Sequence, residues 1–304
     1  MVTRKKVAVT TTTFGRYSRE PLALLEQKGF EIRLNPYGRK PKKKETFEIC
    51  RDSVGIIAGT ETLDGELMKK IKNLRVISRC GAGIDNVDRK AARKRGIGVF
   101  NTPDAPTLAV AELTIGLILN LLRKITRMHV GVKGKKWEKS MGSLLYGKKA
   151  GLIGLGRIGG KVAGLLGAFG CEVAYSDPYA RNRPTKLKCL SLEELLGWAD
   201  IISVHAAEDR KILRGKEIKM MKKGAWLVNT SRGTSVDEGQ LYKALKGGRL
   251  SGAAIDVFER EPYVGPLAKL NNVILTPHIG SYAREARVEM EKQAVLNLLK
   301  GLGE

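Results

Sequence analysis

Three short segments late in the chain each combine a small residue with a group able to move or hold charge: NTSRG at 229–233, DVFEREP at 256–262 and TPHIG at 276–280. Each follows an apolar run that reads as a strand, so each stands at the carboxyl end of a strand, where parallel sheets bind their ligands. Taking a hydride from an alcohol needs a base for the hydroxyl proton and a cation for a neighbouring carboxylate. Histidine suits the first task because it titrates near neutrality, and arginine the second because its fork is bidentate. A carboxylate beside the histidine would fix its tautomer and favour its charged form. Two other histidines compete for the role. His205, in ISVHAAED, also closes a strand and reads as a structural residue or the neighbour of a cofactor loop, and His129 follows a long helix and reads as surface.

A second pattern points to a dinucleotide. GLIGLGRIG at 151–159 places Gly154, Gly156 and Gly159 in G-x-G-x-x-G spacing between an apolar strand and a helical run. Gly154 permits the tight turn, Gly156 lets a pyrophosphate approach the backbone, and Gly159 lets helix and strand pack closely. The phosphates then meet the free N–H groups at the helix start. Asp177 ends the next strand, where an acid accepts the ribose hydroxyls and repels a 2′-phosphate. An Asp that only opens the Asp177-Pro178 turn is the competing reading. Spacing and acid agree, so NAD is expected over NADP, with Arg181 and Arg183 nearby as the contrary signal.

The elements that must position these groups are strands alternating with helices. Strands are expected at 6–11, 31–34, 54–58 and 74–78, and again at 150–154, 172–175, 201–204, 226–229 and 253–256. Helices are expected at 21–28, 64–71, 158–169, 192–196, 237–245 and 283–299. Such alternation argues for parallel sheets with helices on both faces. Residues 108–123, LAVAELTIGLILNLLR, are apolar almost all round, which predicts a helix buried on most sides, between domains or between subunits. The first series breaks near 98–103, which divides the chain into 1–98 with 281–304 and 99–280. The final helix has no strand after it and is expected to return to the first domain.

Composition narrows the class. At 304 residues the chain has room for two ordinary domains. No apolar run approaches the roughly 18 residues that span a membrane, and no secretory core follows the basic start, so a cytoplasmic protein is expected. Cys50, Cys80, Cys171 and Cys189 form no CxxC pair and have no neighbouring His, so neither a disulfide framework nor a metal site is expected. The formal charge of +24 concentrates anions around the molecule. The densest basic run, 39–44, and the cluster of Lys133, Lys135, Lys136 and Lys139 lack interleaved aromatics, and no docking motif is present. A solvated basic surface is therefore expected rather than nucleic-acid binding.

With SRCGAGIDNVD at 78–88, NTPDAPTLAVAELT at 101–114 and the three late segments, nearly the whole chain resembles the D-isomer-specific 2-hydroxyacid dehydrogenases, most of all the short phosphoglycerate dehydrogenases that lack a regulatory C-terminal domain. The resemblance implies a Rossmann NAD-binding domain and a flavodoxin-like substrate domain. It implies Arg232 as the substrate clamp, His278 as acid/base and Glu261, the acid before proline, as its partner. Ala82 and Gly83 are implied as a cradle of backbone N–H groups for the substrate carboxylate. Arg157 and Ile158 match the pyrophosphate contact, Asp177 the adenosine ribose contact, and Thr230 and Asp256 the nicotinamide side. Ala206, Ser231 and Gly280 join the cofactor set, and Arg79 reads equally as a substrate contact or a loop brace.

The implied substrate is a small anionic 2-hydroxy or 2-oxo acid: 3-phosphoglycerate, at a step feeding serine synthesis, with glyoxylate or hydroxypyruvate reduction as the alternative. A homodimer is implied, with 108–123 near its interface. Two departures from the family stand out. The loop after His205 (AAEDR) is short and lacks a proline, and residues 57–60 lack the basic residue common in better-known phosphoglycerate dehydrogenases. A non-enzymatic NAD-sensing scaffold is the rival class. The full set of Arg232, Glu261 and His278 favours chemistry, since a scaffold needs no proton relay.

Overall fold

The computed structural model describes residues 4–180, 186–208 and 210–304, and the chain divides into two compact units, Met1–Pro106 with Ser281–Glu304, and Thr107–Gly280. Arg181 and Arg183 lie outside the described residues.

The first unit is built from β1 (Lys6–Val9), α1 (Glu20–Gln27), β2 (Glu31–Leu34), α2 (Lys43–Cys50), β3 (Ser53–Ala58), α3 (Gly65–Lys70), β4 (Val76–Arg79), α4 (Arg89–Lys94) and β5 (Gly98–Asn101). All strands are parallel in the order β2-β1-β3-β4-β5, the flavodoxin-like arrangement. Because β5 pairs with β4, this unit runs on to Pro106, past the 98/99 division read from the sequence.

The period of two along the strands decides the layers. Val7, Val9, Ile57 and Val76 face one core with Met290, Val295 and Leu298. Ala8, Ile56, Ala58 and Ile77 face the other with Leu67, Met68 and Ala92. The first of these cores is closed by the last helix of the chain, Arg284–Leu302, which packs on β3, β4, β5 and α1.

The second unit begins with α5 (Thr107–Arg123) and α6 (Ile125–Lys133). It continues with β6 (Lys149–Ile153), α7 (Arg157–Ala168), β7 (Glu172–Ser176), β8 (Lys188–Cys189), α8 (Leu192–Trp198), β9 (Ile201–Val204), α9 (Gly215–Met220), β10 (Trp226–Asn229), α10 (Glu238–Lys246), β11 (Gly252–Ile255) and β12 (Val273–Leu275). The returning helix of the first unit is α11. The seven-stranded parallel sheet has the order β12-β11-β10-β9-β6-β7-β8, which reverses direction at β6 as a Rossmann sheet does. Leu152, Ile201, Val228 and Ala254 pack under α5 and α7, while Ile153, Ile202, Leu227 and Ala253 pack under α8, α9 and α10. The long apolar helix α5 is accounted for by α7 and β10–β12, against which it lies. By contrast α6 buries none of its residues.

The densest basic run is partly neutralised: Arg39 pairs with Glu45, and Lys43 with Asp64 and Glu66. Among the described residues no group of three or more His, Cys, Asp or Glu side chains could hold a metal ion, and no helix is long and apolar enough to cross a membrane.

Candidate active site

The late segments become neighbours because the strands before them are neighbours. The ladder of β10, β11 and β12 continues past the strand ends: Asp256 N donates to Asn229 O at 3.0 Å and Thr276 N to Ile255 O at 3.1 Å. Within the first loop, Asn229 Oδ1 accepts from the backbone N–H and the hydroxyl of Ser231, and its Nδ2 donates to Arg232 O at 2.9 Å. This side-chain-closed turn, a habit of Asn, holds Arg232 in extended backbone. The Arg232 Nη1 donates to Ser231 O at 2.9 Å. Gly233 then lies so close to the second loop that a Cβ on it would sit 1.9 Å from Phe258 C. Only glycine allows that approach, so position 233 locks the loop bearing Arg232 to the loop bearing Glu261.

Asp256 joins the second loop to the third. It is fully buried and accepts three bonds: from Thr276 Oγ1 at 2.6 Å, Ile279 N at 2.8 Å and Gly280 N at 2.9 Å. These bonds hold His278 at φ 54°, a left-handed backbone that a non-glycine residue adopts only when its surroundings dictate it. In that posture His278 Nδ1 meets both oxygens of Glu261, at 3.0 and 2.9 Å, and Phe258 N donates to Glu261 Oε1. The His278 side chain is 51% exposed, so the ring faces solvent while its partner fixes it.

Thr230 is buried, and its hydroxyl lies 2.9 Å from that of Thr114 on α5. Thr114 already donates to Val110 O, so Thr230 is the donor to Thr114 and keeps only its lone pairs for a further partner. Asp256 and Gly280 are paired to each other rather than turned to open space. The sequence alone assigns Asn229, Gly233 and Thr114 no individual role. Asn229 and Gly233 are readable as turn residues; Thr114 is not, because its contact is made across 116 residues.

The glycine-rich turn fits a dinucleotide. Gly154, at φ 96°, has Ala206 N 2.7 Å from where a Cβ would stand, and a Cβ on Gly159 would lie 2.2 Å from Gly154 O, whereas one on Gly156 would meet nothing within 4 Å. The first and third glycines are thus demanded by packing, and the second leaves its face open. No side chain caps α7, whose first turn holds Arg157, Ile158 and Gly159. Gly154, Gly156, Asp177 and Ala206 line a cleft of about 570 Å³. Asp177 Oδ2 accepts from Leu155 N at 2.8 Å and Oδ1 from Tyr179 N at 2.8 Å. It therefore closes its own turn and ties it to the glycine loop, with the remaining lone pairs available to hydroxyls.

His205 stands under this loop. Its Nε2 is 2.8 Å from Ser203 Oγ, its Nδ1 is buried without a hydrogen-bond partner, and burial pushes the ring down to about 4. The residue as a whole is half-buried, but its ring is shielded, and the ring is neutral.

In the first unit the segment after β4 forms a tight loop. Gly81, at φ 149°, donates to Thr102 Oγ1 at 2.8 Å, and Asn101 Nδ2 donates to Ala82 O at 2.6 Å. The Arg79 guanidinium folds over Gly81 and donates to Cys80 O, which makes it a brace of this loop. The N–H groups of Ala82 and Gly83 meet no acceptor among the described residues.

Comparison with known proteins agrees with this arrangement. The NAD binding domain of the D-isomer specific 2-hydroxyacid dehydrogenases matches residues 115–280. The chain is 37% identical over 298 residues to a D-3-phosphoglycerate dehydrogenase of Archaeoglobus fulgidus, covering 94% of this chain and 56% of that protein. It is 39% identical over 275 residues to a glyoxylate reductase of Thermofilum pendens, covering 85% and 81%. The chain spans about half the length of the phosphoglycerate dehydrogenases it matches. Among solved structures it is similar to a protein of Thermus thermophilus, with a TM-score of 0.92, 37% identity, and 98% and 97% of the two chains covered. On the sheet orders, the glycine turn and these likenesses together, the chain belongs to the D-isomer specific 2-hydroxyacid dehydrogenase family.

Proposed function

We propose that this chain is an NAD-dependent dehydrogenase that interconverts a small D-2-hydroxy acid and its 2-oxo acid. The observation that carries the reading is the contact of His278 Nδ1 with both oxygens of Glu261. An ionised carboxylate only accepts, so Nδ1 carries a proton and Nε2 is the working atom. Neutral, Nε2 takes the hydroxyl proton as the acid is oxidised; charged, it returns that proton in reduction. Arg232 holds the substrate carboxylate with its planar fork. The first unit is read as the substrate domain, with the Ala82 and Gly83 N–H groups as anion donors. The second is read as the coenzyme domain, with the glycine turn for the pyrophosphate, Asp177 for the ribose, and Thr230, Ser231, Asp256 and Gly280 on the nicotinamide side. Bound nicotinamide supplies or accepts the hydride.

The resemblance implies 3-phosphoglycerate as the substrate and serine synthesis as the setting. Glyoxylate or hydroxypyruvate reduction is the second reading, favoured by one observation: residues 54–65 contain no Lys or Arg to meet a phosphate. A cytoplasmic homodimer completes the proposal. Four free cysteines suit a reducing compartment, and the surface around α6 suits a partner, since Trp137 and Met141 are 83% and 89% exposed. An assay of NADH oxidation with glyoxylate, hydroxypyruvate, pyruvate and 3-phosphohydroxypyruvate tests the function. Turnover of at least one supports it, and NADH binding without turnover of any would favour the scaffold reading.

A further inference from the structure

The first unit holds a second cleft, of about 850 Å³, which shares no residue with the dinucleotide cleft. It is lined by the loop after β4, by α4 and by the edge strand β5. Its floor is aliphatic: Val87 and Ile97 are buried there, and Ile84 and Val99 half-buried. Its rim is cationic. Arg89, Lys90 and Arg93 are exposed and stand three and four residues apart on α4, so they share one helix face. Two acids also line the cleft, Asp85 and Asp88, and Asp88 is committed to capping α4 by accepting from Ala91 N at 2.9 Å. Among the described residues, none of Arg89, Lys90 and Arg93 is joined to a carboxylate. The densest basic run of the sequence differs, since Arg39 and Lys43 there are neutralised by Glu45, Asp64 and Glu66. Residues 89–95 place five cations in seven positions and keep them for something else.

The edge strand adds neutral groups. β5 is last in its sheet and pairs only with β4, towards which Gly98 N donates, to Arg75 O at 2.8 Å. Successive residues of a strand turn their backbone groups to opposite sides, so the N–H and C=O of Val99 face the open edge. A phosphate monoester suits this set. It brings nearly two negative charges and three acceptor oxygens, which a pair of guanidinium forks one turn apart can hold at several points. The cleft has the volume of a small-molecule site and is far larger than a phosphate. The rest of the ligand is therefore an organic body laid over the aliphatic floor, with a donor and an acceptor for Val99.

We propose that the cleft beside α4 and β5 is an accessory binding site for an organic phosphate monoester, a sugar phosphate or a nucleoside monophosphate, held by Arg89, Lys90 and Arg93. None of its residues is among those assigned to hydride transfer, so the proposal stands apart from the dehydrogenase reading.

The experiment is calorimetric titration of the full chain at physiological ionic strength, with NADH present in excess to fill the dinucleotide cleft. The probes are ribose 5-phosphate, AMP and inorganic phosphate, and the proteins are wild type, Arg89→Ala, Arg93→Ala and Lys94→Ala. Wild type should bind at least one organic phosphate with one-to-one stoichiometry and more tightly than inorganic phosphate. Binding of ribose 5-phosphate identifies a sugar-phosphate site, and binding of AMP alone a nucleotide site. Arg89→Ala and Arg93→Ala should each weaken that binding about 10-fold or more, as loss of a charge-assisted bond does. Lys94→Ala removes the same charge from the same helix at a residue outside the lining, and should change Kd by no more than about 2-fold. All three side chains are exposed, so the fold is not at stake. No binding of either organic phosphate at about 1 mM, inorganic phosphate bound as tightly, or a Lys94→Ala loss equal to that of the arginine variants overturns the site and leaves a solvated basic surface. Binding that survives both arginine variants overturns it as well, by placing the ligand elsewhere.

Discussion

Two histidines follow strands of the same seven-stranded sheet, His205 after β9 and His278 after β12, and their surroundings are opposite. His205 has a shielded ring, a serine for company and no carboxylate, and burial pushes it down to about 4. His278 stands half in solvent, bent into left-handed backbone, with Glu261 against Nδ1. Residue type and strand-end position are therefore common to both. On the proposed roles, what separates a proton carrier from a packing residue is an acid partner on Nδ1 and a ring half open to solvent.

The sharpest way to break this contrast is to remove each ring. His278→Gln should lower kcat by on the order of 10³-fold in both directions, with NADH binding, read by fluorescence titration, kept. His205→Asn should leave most turnover in place; if it did the greater damage, the roles assigned to the two would be reversed. Next in size is Arg232→Lys, which keeps the charge but loses the fork. A loss on the order of 10²-fold in kcat/KM is expected, and near-wild-type kinetics would remove Arg232 from the clamp role. Glu261→Gln keeps a hydrogen bond to Nδ1 but gives up the second carboxylate oxygen that meets it. About a 10-fold loss in kcat is expected in both directions; unchanged turnover would reduce Glu261 to a spacer.

The smallest effect belongs to His205 and shows in stability rather than rate. The unfolded chain protonates this ring near 6.5 and the folded chain only near 4, so it contributes stability above 6.5 that is lost as pH falls towards 4. The drop in Tm between those pH values should be shallower in His205→Asn than in wild type.

Much of this arrangement is legible in the sequence, for reasons that can be named. Strands such as Ile201–Val204 are buried on both faces and so read as short, largely β-branched runs, here interrupted only by Ser203. The glycine turn is legible because its spacing is dictated by contact with Ala206 and with its own carbonyl. The helices that escape are short and polar. α4, RKAARK, buries only Ala92 and owes its start to Asp88, which accepts from Ala91 N. α2 begins inside the basic run and buries Thr46, Ile49 and Cys50, too few apolar positions to show a period. In the site, the family resemblance puts Asp256 on the nicotinamide side, but its threefold bonding to Thr276, Ile279 and Gly280 is a tertiary fact with no local signature.

The return of α11 to the first unit also fixes the order in which the protein can be made. Lys5 and Glu304 are joined at 2.6 Å, and the core of Val7, Val9, Ile57 and Val76 is completed only by Met290, Val295 and Leu298. The whole of Thr107–Gly280 emerges from the ribosome between these halves. At about 5–20 residues per second this takes on the order of ten seconds or more. At the end of that time the second unit has all its own strands in hand, while the first still shows an uncovered apolar sheet face. The later-numbered unit is the one equipped to fold first, and the first unit is the one that a chaperone would have reason to hold.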